Sequence, residues 1–478
     1  MNGKNIKWIV IAGVVGISVL TSFWSLGNRP LGNHEAYVGV SARNMIKSGN
    51  WVVPTFNGEP RLNKTPLSYW LVAAAGKAAG RMNEFIVRLP SAAMAVLAAM
   101  AVFYFVCERL GFGTGVIAAI VWSTSLCYIR YSRTGRPEMG LACFVTIAML
   151  SFYSGIKSQD RKKQILFMLI FWVSFGVAML AKGPAPLLLI IPAIFIYFLI
   201  LKQWKLAGKL LPIAGVILFL LIVLPWPIAV LRSQAGTIEV WKNEFLGRAT
   251  GEYAAGSKPF YYYFGVMFLY FLPYSVLIPF AAAAPFYKIW EERRDAIVYH
   301  WLWFFAGIVV MSVCGGKRQH YILPMMPAMA VLAGIILNDM MFVRKAYGRR
   351  FSLIFSTAHI VVLAGWLIAI IFVLPGLENK EEDENYIIRD FAHQVNGAAA
   401  DNSVIAYCKV NPSFIYYFGK DVSVLSDIDE VYGKYVKGGG ITASGENFEQ
   451  LKKDGRFRLA VTGLDNGRGF FIKNQASE

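Results

Sequence analysis

The stretch ILFMLIFWVSFGVAMLAKGPAPLLLIIPAIFIYFLIL, Ile165–Leu201, holds one charge, Lys182, in 37 residues. The apolar runs on either side of it, 165–181 and 184–201, each approach the length of a helix that crosses a ~30 Å hydrocarbon core. Working outward, runs of the same kind recur near 8–24, 88–107, 115–131, 139–155, 210–231, 261–286, 297–314, 321–338 and 352–374, making eleven in all. The first is read as a retained span, because no small-residue cleavage site follows it before Arg29 and Pro30. Across 478 residues, 56% are hydrophobic and 16% charged, where soluble proteins carry roughly 25% charged residues. An ordinary soluble enzyme is excluded.

Charge is distributed unevenly. The formal net charge is +18, yet residues 375–478 hold 12 basic and 16 acidic residues, so the basic excess belongs to the apolar part. That distribution argues against a nucleic-acid partner. The five cysteines form no close pair with metal-ligand spacing, which argues against a disulfide framework or a zinc site. Compact basic connections at Lys157–Lys163, Lys202–Lys209, Lys288–Arg294 and Arg344–Arg350 put those loops and the N-terminus in the cytoplasm. Eleven spans then carry the C-terminal segment to the outer side.

The expected fold is an all-α polytopic membrane protein of about 11 transmembrane helices, residues 1–374, with outer loops 25–87 and 232–260. A small C-terminal α/β extracytoplasmic domain, 375–478, follows. In the first loop Asn33 is a candidate cap for a helix over Ala36–Ile46, and Leu67–Ala79 is a second helix too short to span. Trp51, Tyr69 and Trp70 suit an interfacial position for both. In the tail, Cys408, Tyr416 and Tyr417 are read as core.

Acidic residues are few enough in the apolar part to name those on the outer side: Glu35, Glu59, Glu84, Glu138, Glu239, Glu244 and Glu252. Glu138 ends Arg133-Thr-Gly-Arg-Pro-Glu138 at a span boundary, where a carboxylate is costly unless paired or functional. Its structural reading is an ion pair with Arg133 or Arg136. His34 beside Glu35 is either an interfacial histidine or a base at neutral pH. Lys64, Lys182 and Lys317-Arg318 recur in the same layer. Lys182, in a connection of a few residues on the side where anchoring lysines are less expected, suits a phosphate held by charge-assisted hydrogen bonds.

The first loop carries Asn33-His34-Glu35, Ser41-Ala42-Arg43-Asn44-Met45, Gly49-Asn50-Trp51-Val52-Val53-Pro54, Phe56-Asn57-Gly58 and Lys64-Thr65-Pro66-Leu67-Ser68-Tyr69-Trp70. This pattern resembles the first outer loop of the aminoarabinose transferase and protein O-mannosyltransferase-like glycosyltransferases, of the GT-C class. Arg88-Leu89-Pro90-Ser91, Arg136-Pro137-Glu138, Lys182-Gly183-Pro184 and Lys317-Arg318 through His320-Tyr321 to Pro324 resemble later landmarks of the same family. The resemblance implies inverting transfer of a sugar from a polyprenyl-phosphate donor to a lipid, glycan or protein acceptor at the outer face of the cytoplasmic membrane. It implies membrane lipids as partners and no nucleic acid. On it, Lys64, Lys182, Arg318 and Tyr321 would hold the donor phosphate. Glu35, His34 and Glu138 would be catalytic, and Tyr69, Arg136 and His320 would position substrate. The family usually has Asp-Glu where this chain has His34-Glu35, so either residue could serve as base. Asn63 and Phe245 stand where a divalent ion would be bound in the aminoarabinose enzyme, so no metal and no other cofactor is assigned. Two other readings of the same cations are a transporter or flippase for an anionic lipid and a non-catalytic binding scaffold.

Overall fold

The computed structural model describes residues 3–202, 204–252, 258–343, 348–373, 376, 383–399, 403–463, 465 and 467–472. Parts of the basic connection Arg344–Arg350 and of the loop 232–260 lie outside the described residues, as do the 374/375 boundary and Lys473. The chain packs as two compact units. One comprises Met1–Trp24, Leu62–Ser68 and Arg88–Val373; the other comprises Ser25–Arg61, Tyr69–Val87 and Leu374–Glu478.

The first unit is helical, and it makes the chain a polytopic membrane protein. Among the described residues, eight helices are long and apolar enough to cross a membrane. The pair Phe112–Thr124 and Leu126–Ser132, bent by 59°, is a ninth candidate, and Ala185–Leu201 and Ser275–Phe286 are shorter apolar helices. The apolar runs are thus helical, but 115–131 breaks at Ser125 and 261–286 breaks between Tyr270 and Ser275. Ser125 is extended at φ −67°, ψ 144°, and its hydroxyl donates to the Trp122 carbonyl at 2.7 Å. The Leu126 N–H, which an unbroken helix would give to that carbonyl, goes instead to the Leu272 carbonyl at 3.0 Å. One break therefore satisfies the other, as a backbone without water requires.

Burial singles out two spans. The apolar stretch of Glu138–Lys157 is 89% buried and that of Gln319–Phe342 is 94% buried, against 6% to 56% for the other six. Helices apolar on every side belong at the centre of a bundle. Small residues let them approach: a Cβ on Gly334 would stand 2.8 Å from the Ala118 Cβ of helix Phe112–Thr124.

The second unit is α/β. A short hairpin pairs β1 (Thr55–Phe56) with β2 (Glu59–Pro60). The main sheet has β3 (Val404–Tyr407) running parallel to β4 (Ser423–Leu425) on one side and to β5 (Gly440–Ser444) on the other. Next to β5 come β7 (Arg468–Phe471) and then β6 (Leu459–Thr462), each antiparallel to its neighbour. Alternation sorts the two faces. Ile405 and Tyr407 pack with Val431, Tyr435, Phe448 and Leu451 on one face. On the other, Val404 and Ala406 share a core with Phe391, Ile415 and Tyr417 and with Leu31, Val40, Met45, Tyr69 and Val72 of the first loop.

The sequence division at 374/375 separates stretches that this core joins, because helices Asn33–Ser48 and Leu67–Ala79 bury apolar faces in it. The helix expected from Ala36 starts at Asn33, and the residue before it, Gly32, is its cap: the Gly32 N–H donates to Glu35 Oε2 at 3.2 Å. Asn33 bonds sideways, accepting from Ser413 Oγ at 3.1 Å.

Tyr416 and Tyr417 are buried, as read from the sequence. The Tyr417 hydroxyl accepts the Leu31 N–H at 2.7 Å and donates to Glu84 Oε1 at 3.0 Å. Burial, and after it the Glu84 carboxylate, holds this phenol well above its ordinary pKa, so it stays a donor. Tyr417→Phe removes both bonds at once. The expected cost is about 1–3 kcal/mol, read as a lowered thermal midpoint of the detergent-solubilised protein; an unchanged midpoint would show that the knot is not structural.

Candidate active site

The two most buried spans begin with the chemistry-bearing residues of the helical unit. Glu138 opens helix Glu138–Lys157, and His320 lies in the 3-10 turn Gln319–Met325 that opens the other. Lys182 is the last residue of helix Arg161–Lys182. The three meet on one carboxylate: Lys182 Nζ is 3.2 Å and His320 Nε2 3.4 Å from Glu138 Oε1, while Arg136 Nε is 3.6 Å from Oε2. Glu138 is 5% exposed. The partner expected from sequence was Arg133 or Arg136, and the structure gives Arg136 together with two residues far away in the chain.

Tyr321 faces the same lysine, with Lys182 Nζ 5.2 Å from its ring centroid, a distance at which a cation is attracted to the ring. Arg318 stands two residues before His320, and its carbonyl accepts from the Tyr263 hydroxyl at 3.3 Å. Two cations, Lys182 and Arg136, and the His320 ring therefore meet one carboxylate. An assembly with this surplus, enclosed by protein, is suited to an anion.

Local structure explains why these groups converge. Gly183 follows Lys182 at φ 58°, and a Cβ there would come 2.6 Å from the Phe245 ring. Only glycine lets residues 242–246 lie against the Lys182 turn. The residue before Phe245, Glu244, forms an ion pair with Lys64 and is 9% exposed. Ser91 Oγ donates to the Arg136 carbonyl at 3.3 Å, tying the Arg88-Leu89-Pro90-Ser91 motif to Arg136-Pro137-Glu138. Behind His320, the hydroxyls of Tyr131 and Tyr270 are 2.9 Å apart, and Tyr270 donates to Gln319 Oε1 at 2.8 Å. Sequence reasoning missed Glu244, Tyr131, Tyr270 and Gln319 as members of the cluster. The tyrosines sit in aromatic-rich apolar runs where nothing in the spacing marks them.

Lys64 and Glu244 are the chain neighbours of Asn63 and Phe245, the positions associated above with a divalent ion. The carboxylate there is taken by an ammonium, and Phe245 offers a ring rather than a donor, so these residues do not fit a metal. The remaining sequence-derived residues belong to the α/β unit. His34 is exposed in the first turn of helix Asn33–Ser48. Glu35 is 6% exposed, with its carboxylate on the helix start, and Tyr69 is 1% exposed within the shared core.

With this geometry in hand, likeness to known proteins is informative. A family model described as dolichyl-phosphate-mannose-protein mannosyltransferase matches residues 63–228. An uncharacterized protein of Aquifex aeolicus (strain VF5) is 32% identical over 321 residues, 66% of this chain and 62% of that one. The undecaprenyl phosphate-alpha-4-amino-4-deoxy-L-arabinose arabinosyl transferase of Pseudomonas aeruginosa (strain LESB58) is 27% identical over 320 residues, 64% of this chain and 56% of that one. The chain thus spans about three fifths of the length of these curated relatives. The crystal structure of ArnT from Cupriavidus metallidurans bound to undecaprenyl phosphate superimposes with a TM-score of 0.82 at 17% identity, covering 98% of each chain. The fold is that of this ArnT structure.

The buried pair predicts a non-additive response. Lys182→Met strands the Glu138 carboxylate, at an expected cost of about 3–5 kcal/mol. Adding Glu138→Gln should restore part of that loss in denaturation measurements on the purified protein. A double-variant loss equal to the sum of the two single-variant losses would mean that the two groups are not coupled.

Proposed function

We propose that this protein transfers a sugar, with inversion, from a polyprenyl-phosphate-linked donor to a lipid, glycan or protein acceptor at the outer face of the cytoplasmic membrane. The observation that carries the reading is the cation surplus of Lys182 and Arg136 around the carboxylate of Glu138. The activity named for the Pseudomonas relative and the undecaprenyl phosphate bound to the Cupriavidus protein support it. In this reading residues 1–374 form the transferase domain, the N-terminus is cytoplasmic, and residues 375–478 are extracytoplasmic.

The chemistry follows from charge. When the acceptor attacks the anomeric carbon, the bond from that carbon to the phosphate oxygen breaks and its electron pair leaves with the polyprenyl phosphate. Negative charge therefore grows on the leaving group, where Lys182 and Arg318, with Lys64 and Tyr321, would stabilise it. Glu138 orients Lys182 and His320 and positions the sugar with Arg136. The acceptor proton goes to Glu35 or His34, which share the first turn of one helix. A phosphate acceptor would need orientation more than a base.

Glu35→Gln separates the roles of that residue, because its amide oxygen can still accept the Gly32 N–H while the base is gone. The decisive experiment measures release of polyprenyl phosphate from a panel of polyprenyl-phosphate sugars with crude envelope acceptors. Wild type should release it from at least one donor, and Glu35→Gln and Glu138→Gln should each be slower by roughly 10²-fold or more with folding intact. Full activity in both variants would remove these residues from the mechanism, and no release from any donor by folded protein would count against transfer itself.

A further inference from the structure

Two broken helices of the helical unit meet beside the Glu138 cluster, and what they bring to it is hydroxyl groups. The 59° bend at Ser125 redirects helix Leu126–Ser132, and the Leu126 N–H on the Leu272 carbonyl at 3.0 Å ties it to the chain that leaves helix Tyr262–Tyr270. On that second helix Tyr263 and Tyr270 stand close to two full turns apart and so share a face. Both are fully buried. Their hydroxyls reach successive residues, Tyr263 donating to the carbonyl of the extended Arg318 at 3.3 Å and Tyr270 to Gln319 Oε1 at 2.8 Å.

The polarity of this relay is fixed. A phenol carries one hydrogen. That of Tyr270 goes to the carboxamide oxygen, which only accepts, so in the 2.9 Å contact between the Tyr131 and Tyr270 hydroxyls Tyr131 is the hydrogen-bond donor. Tyr131 is buried too, its ring edge-on to that of His320 with 6.2 Å between centroids. Two buried phenols thus direct their hydrogens toward the oxygen end of one side chain, and the NH₂ end of Gln319 faces away from them. Gln319 is exposed, and among the described residues no protein group accepts from its NH₂. Its chain neighbours are Arg318 and the buried His320, whose Nε2 lies 3.4 Å from Glu138 Oε1. The amide is therefore the exposed member of the turn that carries the cluster's imidazole, and it is held in one orientation.

We propose that Gln319 is a further substrate-positioning residue: its NH₂ donates to a phosphate oxygen of the polyprenyl-phosphate sugar, and Tyr270, itself oriented by Tyr131, is the positioning residue that aims it. The inference rests on the transfer reading above and adds to it a neutral hydrogen-bond donor between Arg318 and His320. An oxyanion selects this end of the amide. Turned the other way, the same side chain would meet a phosphate with its carbonyl oxygen, and the Tyr270 hydroxyl prevents that. Fixing the amide before the ligand arrives also lowers the ordering cost of binding.

Gln319→Glu tests the contact, because the carboxylate still accepts the Tyr270 hydroxyl while the outward NH₂ becomes an oxygen. Calorimetric titration of the full-length protein in detergent with undecaprenyl phosphate should show binding weakened by roughly tenfold or more, as expected for a lost hydrogen bond to a charged group. The KM for the sugar donor should rise with it in the release assay, and the thermal midpoint should stay that of wild type. Gln319→Leu should weaken binding less than Gln319→Glu, since it removes the hydrogen bond without adding a negative charge. Tyr270→Phe should weaken binding in the wild-type background and not in Gln319→Leu, a dependence that a merely structural role for Tyr270 would not produce. Equal losses from Tyr270→Phe in both backgrounds, wild-type binding by Gln319→Glu, or no binding by the wild type would overturn the proposal. Binding and transfer also separate: folded protein that binds through Gln319 yet releases polyprenyl phosphate from no sugar donor would keep the contact and remove the transfer reading, whereas release with KM and binding unchanged in Gln319→Glu would do the reverse.

Discussion

A carboxylate at the start of the most enclosed part of a membrane bundle must find its partners in protein, and Glu138 meets three elements at once, although its buried Oε2 accepts no hydrogen bond among the described residues. Lys182 comes from the end of one helix, His320 from the turn that opens another, and Arg136 from its own approach. Desolvating a charge costs several kcal/mol unless attraction and hydrogen bonds replace the lost water. The first turn of Glu138–Lys157, the last turn of Arg161–Lys182 and the Gln319–Met325 turn are therefore held in register by one oxygen atom, Glu138 Oε1. Around it the other constraints arrange themselves. Gly183 admits Phe245, Phe245 is joined to Glu244, and Glu244 holds Lys64.

The opposite end of the same helix shows what a purely structural version of this arrangement looks like. There Asp295 accepts from Lys157 at 2.8 Å, from Tyr153 at 2.9 Å and from Tyr197 at 3.1 Å. One carboxylate is balanced by one cation and saturated with hydroxyl donors, and nothing in that arrangement calls for a ligand. At Glu138 the balance fails: the cations outnumber the carboxylate and His320 adds a ring nitrogen. Two ion-pair sites on one helix thus differ in net charge rather than in kind, and the unbalanced one is where chemistry on an anion is expected.

Much of this was legible in the sequence for physical reasons. Membrane spans announce themselves because a segment of about 20 residues facing lipid must be predominantly apolar, so the eleven runs are visible while the break at Ser125 is not. That break depends on the Leu272 carbonyl, which no local pattern reveals. Lys182 stood out because a charge in so short a connection is expensive, and its partner lay 44 residues away. The strand Gly440–Ser444 has a weak sequence signature, because it follows Gly438-Gly439 and its Thr and Ser positions dilute the apolar alternation. Lys64 was read as a ligand for phosphate without Glu244, since a contact spanning 180 residues has no signature in spacing.

The same limit explains the grouping of the first loop with the C-terminal segment. Composition changes sharply near residue 375, which invites a boundary there, but composition reports solvent preference and not packing. Tyr417 decides the matter physically: one hydroxyl joins Leu31, Glu84 and the helix Pro412–Phe418, and a shared apolar core surrounds it. The helix that begins with His34 and Glu35 therefore rests on a floor built by the C-terminal chain, with Gly39 so close to the Tyr416 ring that a Cβ would stand 2.8 Å from it. Arg43 on that helix reaches the same segment, donating to the Tyr416 carbonyl at 3.1 Å. The orientation of the acid and the imidazole in the first loop is thus set as much by residues after 410 as by their own sequence. A change in the sheet can alter them without touching either.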